Sequence, residues 1–205
     1  MKLIIFGATG GVGQALLQQT LAANLEVTAF VRTPAKVQLT HENLTVVQGD
    51  AFNQADVTAA IAGHDAVVSC LGSSNGMKPS TELQEMTQNI VTGMQDNGVE
   101  RIVYTASAGV HRELTGIMGK LMMLLLKNAL TDHRAAVKAI TQANLNYTIV
   151  RPMGLTDKDF TGEYRESETS TPAKSSTIPR ADVAHFILKA LLDASYDRKS
   201  IGLAT

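Results

Sequence analysis

A glycine-rich turn, Gly7-Ala8-Thr9-Gly10-Gly11-Val12-Gly13, follows directly on the apolar run Leu3-Ile4-Ile5-Phe6 and leads into a helix-like segment. A strand, a glycine turn and a helix in that order predict a doubly wound α/β fold with a parallel sheet. Leu3-Ile4-Ile5-Phe6 is continuously apolar, as a strand buried on both faces requires. Gly7 permits the tight turn, Gly10 lets a ligand approach the backbone, and Gly13 lets helix and strand pack closely. The helix that follows presents unpaired N–H groups and the positive end of its dipole, a natural seat for a pyrophosphate.

The rest of the chain repeats the alternation. Strands are predicted at 25–31, 44–47, 65–71, 101–105 and 147–150, with 201–204 as a possible seventh. Helices are predicted at 14–24, 56–62, 80–97, 131–143 and 180–193, Gly98 stopping the third. The expected fold is one Rossmann-like domain over residues 1–205, strand order 3-2-1-4-5-6 and possibly 7, with helices on both faces. Residues 155–180 are rich in Thr, Ser, Asp, Glu and Lys and read either as a solvated loop or as a loop covering a ligand. The second reading arises because ligands of open α/β sheets bind beyond the carboxyl ends of the strands.

The end of the second strand separates two kinds of dinucleotide. NAD enzymes place an acid there, about 20 residues on, to hold the ribose 2′-hydroxyl. Here the position carries Arg32, while Glu26 begins that strand rather than ending it. A guanidinium pairs with a 2′-phosphate through two parallel hydrogen bonds, so NADP(H) is the expected cofactor, with Lys36 adding charge. Asp50 and Ala51, after the third strand, are expected beside the adenine. Leu71 and Gly72, after the fourth, are expected beneath the cofactor ribose.

Composition excludes some classes of function. The formal net charge is −1, which gives no overall pull toward nucleic acid or anionic lipid. Aromatic residues are 4% and Trp is absent, which argues against a stacking platform for single strands. Cys70 is the single cysteine and reads as a buried thiol without a disulfide partner. The histidines show no metal-ligand spacing, so no metal site is expected. No signal peptide is recognisable, and the longest apolar stretch, Leu121 to Leu126, is too short for a bilayer, so a cytoplasmic location is expected. The run from Ile117 to Leu126 is apolar on every side of a helix. Core burial explains part of it, and another face is left for a planar substrate or a second subunit.

The Gly-Ala-Thr-Gly turn, Arg32, Gly49-Asp50, Ser107 and Arg151-Pro152 resemble the atypical short-chain dehydrogenase/reductase superfamily. Thr161-Gly162-Glu163-Tyr164 and Asp182-Val183-Ala184-His185-Phe186 are similar, more narrowly, to its biliverdin reductase B and flavin reductase group. The resemblance implies a cofactor-binding set of Gly7, Thr9, Gly10, Gly11, Val12, Gly13, Arg32, Lys36, Asp50, Ala51, Leu71, Gly72, Thr105, Pro152 and Met153. It also implies that Ser107 lies near nicotinamide and substrate, where it donates to the acceptor or satisfies its own turn. Two departures stand out. None of the tyrosines begins the Tyr-x-x-x-Lys pair of the main dehydrogenase group: Ala108, Arg151, Glu168 and Ser200 occupy the fourth positions on. Gly154 stands where the biliverdin and flavin reductase group carries a histidine. His133, between Asp132 and Arg134, also has a counterpart in that group and reads as solvated.

These residues predict an NADPH-dependent reductase that passes hydride to a planar conjugated acceptor (flavin, quinone or tetrapyrrole-like). The working form would be a monomer or homodimer without nucleic-acid or membrane partners. An NADP(H)-sensing, non-catalytic binder similar to NmrA-like regulators is the second reading, and a sugar-nucleotide epimerase relative the third.

Overall fold

The computed structural model describes residues 1–76, 78–173 and 175–205. Among the described residues ten strands and six α-helices follow in chain order: β1 Lys2–Phe6, α1 Gly11–Ala22, β2 Glu26–Val31, β3 Leu44–Gln48, α2 Gln54–Ile61, β4 Ala66–Ser69, α3 Glu82–Asn97, β5 Arg101–Thr105, α4 Gly116–Leu125, α5 Lys127–Gln142, β6 Asn146–Pro152, β7 Gly154–Thr156, β8 Arg165–Ser167, β9 Thr177–Pro179, α6 Arg180–Leu192 and β10 Lys199–Ala204. The main sheet runs β3-β2-β1-β4-β5-β6-β10-β8, with β7 and β9 forming a separate pair. All its pairings are parallel except β8 against β10. The expected order 3-2-1-4-5-6 is present, and the seventh strand is β10 beside β6.

Alternation along β1 divides the core. Leu3 and Ile5 face α1 and α6, packing on Leu16, Leu17, Val183 and Ile187. Ile4 and Phe6 face α2, α3 and α5, packing on Val57, Ile90 and Ile140. Each strand of β1 and β4 is buried along nearly its whole length, which accounts for the continuous apolar runs. Gly98 closes α3 at φ +67°, a conformation that favours glycine.

Two expectations change. The segment 155–180 is not a featureless loop, since it contains part of β7, then β8 and β9, and its Lys174 lies outside the described residues. Three-residue strands such as Arg165–Ser167 are too short to show a period. The Ile117–Leu126 run is not partly core: no residue of α4 is buried, and Ile117 is 91% and Leu124 68% exposed. Met118 and Met122 of this helix line a cleft, so part of its apolar character serves that cleft rather than the sheet.

Candidate functional site

The carboxyl ends of β1, β2, β3 and β4 enclose a first cleft of about 200 Å³, lined by Gly7, Thr9, Gly10, Arg32, Asp50, Ala51, Leu71, Gly72 and neighbours. Its turn is shaped by backbone crowding. Gly7 has φ +79°, and a Cβ there would stand 2.5 Å from the Cys70 carbonyl oxygen. A Cβ on Gly13 would collide with the Gly7 carbonyl oxygen. The Gly10 amide donates to Gly7 O (3.0 Å), and the Gln14 side chain donates to Thr9 O (3.0 Å). No side chain caps α1 and no acid lies in its first turn, so among the described residues its leading N–H groups have no capping partner where the helix starts beside Gly10 of the cleft. An uncapped helix end beside crowded glycines fits a dinucleotide pyrophosphate.

The adenosine end is equally defined. Arg32 follows β2 with its side chain exposed toward the cleft, and Glu26 sits at the opposite end of that strand. Asp50 is held by its own turn: Oδ1 accepts from the Phe52 amide, and its amide donates to Asp56 Oδ2, each at 3.1 Å. Asn89 Nδ2 donates to Ala51 O (2.9 Å) and fixes the same turn to α3. Lys36 does not join this cleft. The chain turns at Thr33-Pro34, and Lys36 lines a separate depression with Gln14, Gln18 and Val37.

A second cleft of about 860 Å³ continues from the first through Gly10, Cys70, Leu71 and Gly72, which line both. It holds Thr105, Ser107, His133, Pro152 and Met153 together with Leu114, Met118, Met122, Leu126, Leu155, Ser176 and Arg180. Of the expected cofactor set, Gly11, Val12, Thr105, Pro152 and Met153 therefore fall in this second cleft. Gly13 lies behind the turn, where it packs. Ser107 Oγ donates to the neighbouring Ala108 O (3.2 Å), so its oxygen is held at the cleft wall. Burial pushes the Cys70 thiol up to about 12, which keeps it protonated at neutral pH.

His133 is half-buried rather than freely solvated. It lines the second cleft, and burial pushes its imidazole down to about 4, so it is neutral at physiological pH. Nδ1 lies 3.0 Å from the Tyr104 hydroxyl, which burial keeps protonated. In the tautomer in which Tyr104 donates to Nδ1, the imidazole proton sits on Nε2 as a hydrogen-bond donor. The flanking charges point elsewhere. Asp132 accepts from the Leu83 and Gln84 amides (3.1 and 2.9 Å) at the start of α3, and Arg134 donates to Val110 O and Gly109 O.

The Thr161-Gly162-Glu163-Tyr164 and Asp182-Val183-Ala184-His185 segments meet in space. Asp182 accepts from Thr161 N and Oγ1 and from Gly162 N, and Tyr164 OH lies 2.8 Å from His185 Nδ1. They tie the segment after β7 onto α6 and carry no group into either cleft.

This arrangement is that of a dinucleotide-binding Rossmann protein. The family model described as NAD(P)H-binding matches residues 7–194, and the chain belongs to that family. An uncharacterized chloroplastic protein of Arabidopsis thaliana is 30% identical over 93% of this chain, which spans 72% of it. A 3-beta-hydroxysteroid dehydrogenase of Mycolicibacterium neoaurum is 33% identical over 53% of this chain, which matches 32% of that enzyme. Among solved structures, a Rossmann-fold NAD(P)-binding family protein from Shigella flexneri is 25% identical with a TM-score of 0.80, covering 100% of this chain and 93% of that one. An anaerobilin reductase of Escherichia coli O157:H7 has the same fold, at 22% identity and TM-score 0.82, covering 100% of this chain and 97% of that one. The cofactor class is thus NAD(P)(H). Among the described residues no helix is long and apolar enough to cross a membrane.

Proposed function

We propose that the protein is an NADPH-dependent reductase that passes hydride to a planar conjugated acceptor such as a free flavin. The observation that carries this reading is the continuity of the two clefts through Gly10, Leu71 and Gly72, one ending at Arg32 and the other apolar and methionine-rich. When bound, the reduced nicotinamide supplies the hydride and its two electrons, and water supplies the accompanying proton. The glycine turn and α1 orient the pyrophosphate, Arg32 selects the 2′-phosphate, and Met118, Met122 and Met153 form a deformable wall for a flat ring system. The neutral His133 donates a hydrogen bond to acceptor atoms that gain charge, and Ser107 turns its single hydroxyl proton from Ala108 O to the same acceptor. The protein's main contribution is orientation, which serves an acceptor that needs no strong acid.

A second reading, an NADP(H)-sensing binder without turnover, is favoured by the outward face of α4, where Ile117, Leu124 and Leu125 are exposed. Steady-state assays with NADPH and a panel of riboflavin, FMN, quinones and an aliphatic ketone separate the two. Turnover confined to the planar acceptors is expected. Ser107→Ala is expected to lower kcat about tenfold with little change in KM for NADPH, the loss of one hydrogen bond made as charge develops. Equal kcat in wild type and Ser107→Ala would remove Ser107 from the chemistry.

A further inference from the structure

Arg180 is the first residue of α6, yet its side chain crosses to the start of α1. A Cβ built on Gly11 would stand 2.5 Å from Arg180 Cδ, 2.9 Å from Nε and 3.8 Å from Cζ. The arginine side chain thus lies in the space that a side chain at Gly11 would take. The position owes nothing to helix stability, since a cation in a first turn opposes the dipole of its own helix. Among the described residues Arg180 makes one hydrogen bond, Nη1 to Asp157 Oδ1 at 2.6 Å. That partner is 89% exposed, and an exposed ion pair holds its members weakly. The remaining N–H donors of the guanidinium are left beside an uncapped helix end.

We propose that Arg180 is a pyrophosphate-binding residue of the dinucleotide site, placed over α1 by the absence of a side chain at Gly11 and held in waiting by Asp157. Cofactor phosphate exchanges for the Asp157 carboxylate, so the residue before Lys158 is released from α6 as the dinucleotide binds. The inference rests on NAD(P)(H) binding and is independent of the acceptor. The same guanidinium also borders the second cleft, where a phosphorylated flavin would present similar chemistry. Contact with Gly11, at the head of α1, favours the dinucleotide.

Calorimetric titration of the purified protein with NADPH, and with adenosine 2′-monophosphate, which keeps the 2′-phosphate but has no pyrophosphate, tests this directly. Arg180→Gln is expected to weaken NADPH about tenfold or more, the worth of a charge-assisted hydrogen bond, and to leave adenosine 2′-monophosphate within about twofold. Gly11→Ala should reproduce that loss, and the double variant should be little weaker than Arg180→Gln alone. Asp157→Asn, at an exposed position that cannot threaten folding, should tighten NADPH roughly two- to threefold by removing the competing anion. Unchanged NADPH affinity in Arg180→Gln overturns the assignment, as do an equal loss for both ligands and an effect confined to the KM of FMN. Unchanged NADPH affinity in Asp157→Asn overturns the exchange, even if Arg180→Gln does not fold.

Discussion

Glu113→Gln is expected to lower the stability of the protein by about 3 kcal/mol, because it leaves a buried guanidinium without its counter-charge. Arg151 Nη1 meets Glu113 Oε1 at 2.5 Å, and the two side chains are 1% and 5% exposed. Arg151 keeps its acceptors at Glu168 O, Ser200 O and Ser200 Oγ, which limits the loss to the lower part of the range for broken buried pairs. For a chain of this size the change corresponds to a melting temperature roughly 6–12 °C lower. The pH dependence carries a second signature. Burial alone would raise the Glu113 carboxyl, but hydrogen bonds from its own backbone and from Arg151 outweigh it and hold the group below its ordinary value. A carboxyl depressed in the folded state contributes stability above its unfolded value of about 4.3, and that contribution disappears as the pH falls through the folded value. Thermal melts between neutral and acid pH should therefore converge for wild type and Glu113→Gln at the acid end. Parallel melting curves with no convergence would show that the pair is not the source. The functional link is positional, because Arg151 ties β6 and β10 to the 167–170 segment beside β8.

Arg32→Ala carries the other large effect. Its side chain is exposed and lines the first cleft, and no acid closes β2 to receive a free ribose. Loss of a paired guanidinium–phosphate contact should weaken NADPH about 10- to 100-fold. NADH, which has no 2′-phosphate, should change by less than about twofold, so the preference between cofactors collapses. Titration with both nucleotides reads it. A matching loss for NADH would mean that Arg32 supports the turn rather than the phosphate.

What was legible in the sequence was local. The strand, glycine turn and helix at 3–22 are contiguous, and the residues after β2, β3 and β4 share a cleft because parallel strands end on one edge. Arg32 and Asp50 follow from that geometry, whereas Lys36 shows its limit: four residues beyond Arg32, it lies past a turn on another surface. Periodicity also could not say whether the apolar run of α4 faces the sheet or a cleft, since both demand the same side chains. His133 reads as solvated from its charged neighbours, but Asp132 and Arg134 are committed to α3 and to the Gly109–Val110 carbonyls. Arg180 and Gly11 are far apart in the chain, and no local pattern announces that one fills the space left by the other.

The most direct measurement is NADPH oxidation, followed near about 340 nm, the absorbance of the hydride carrier, with and without added FMN and repeated with NADH. Turnover that requires the flavin and runs markedly faster with NADPH is the expected result. Tight NADPH binding without turnover on flavins or quinones would contradict the reductase and leave a dinucleotide-sensing binder.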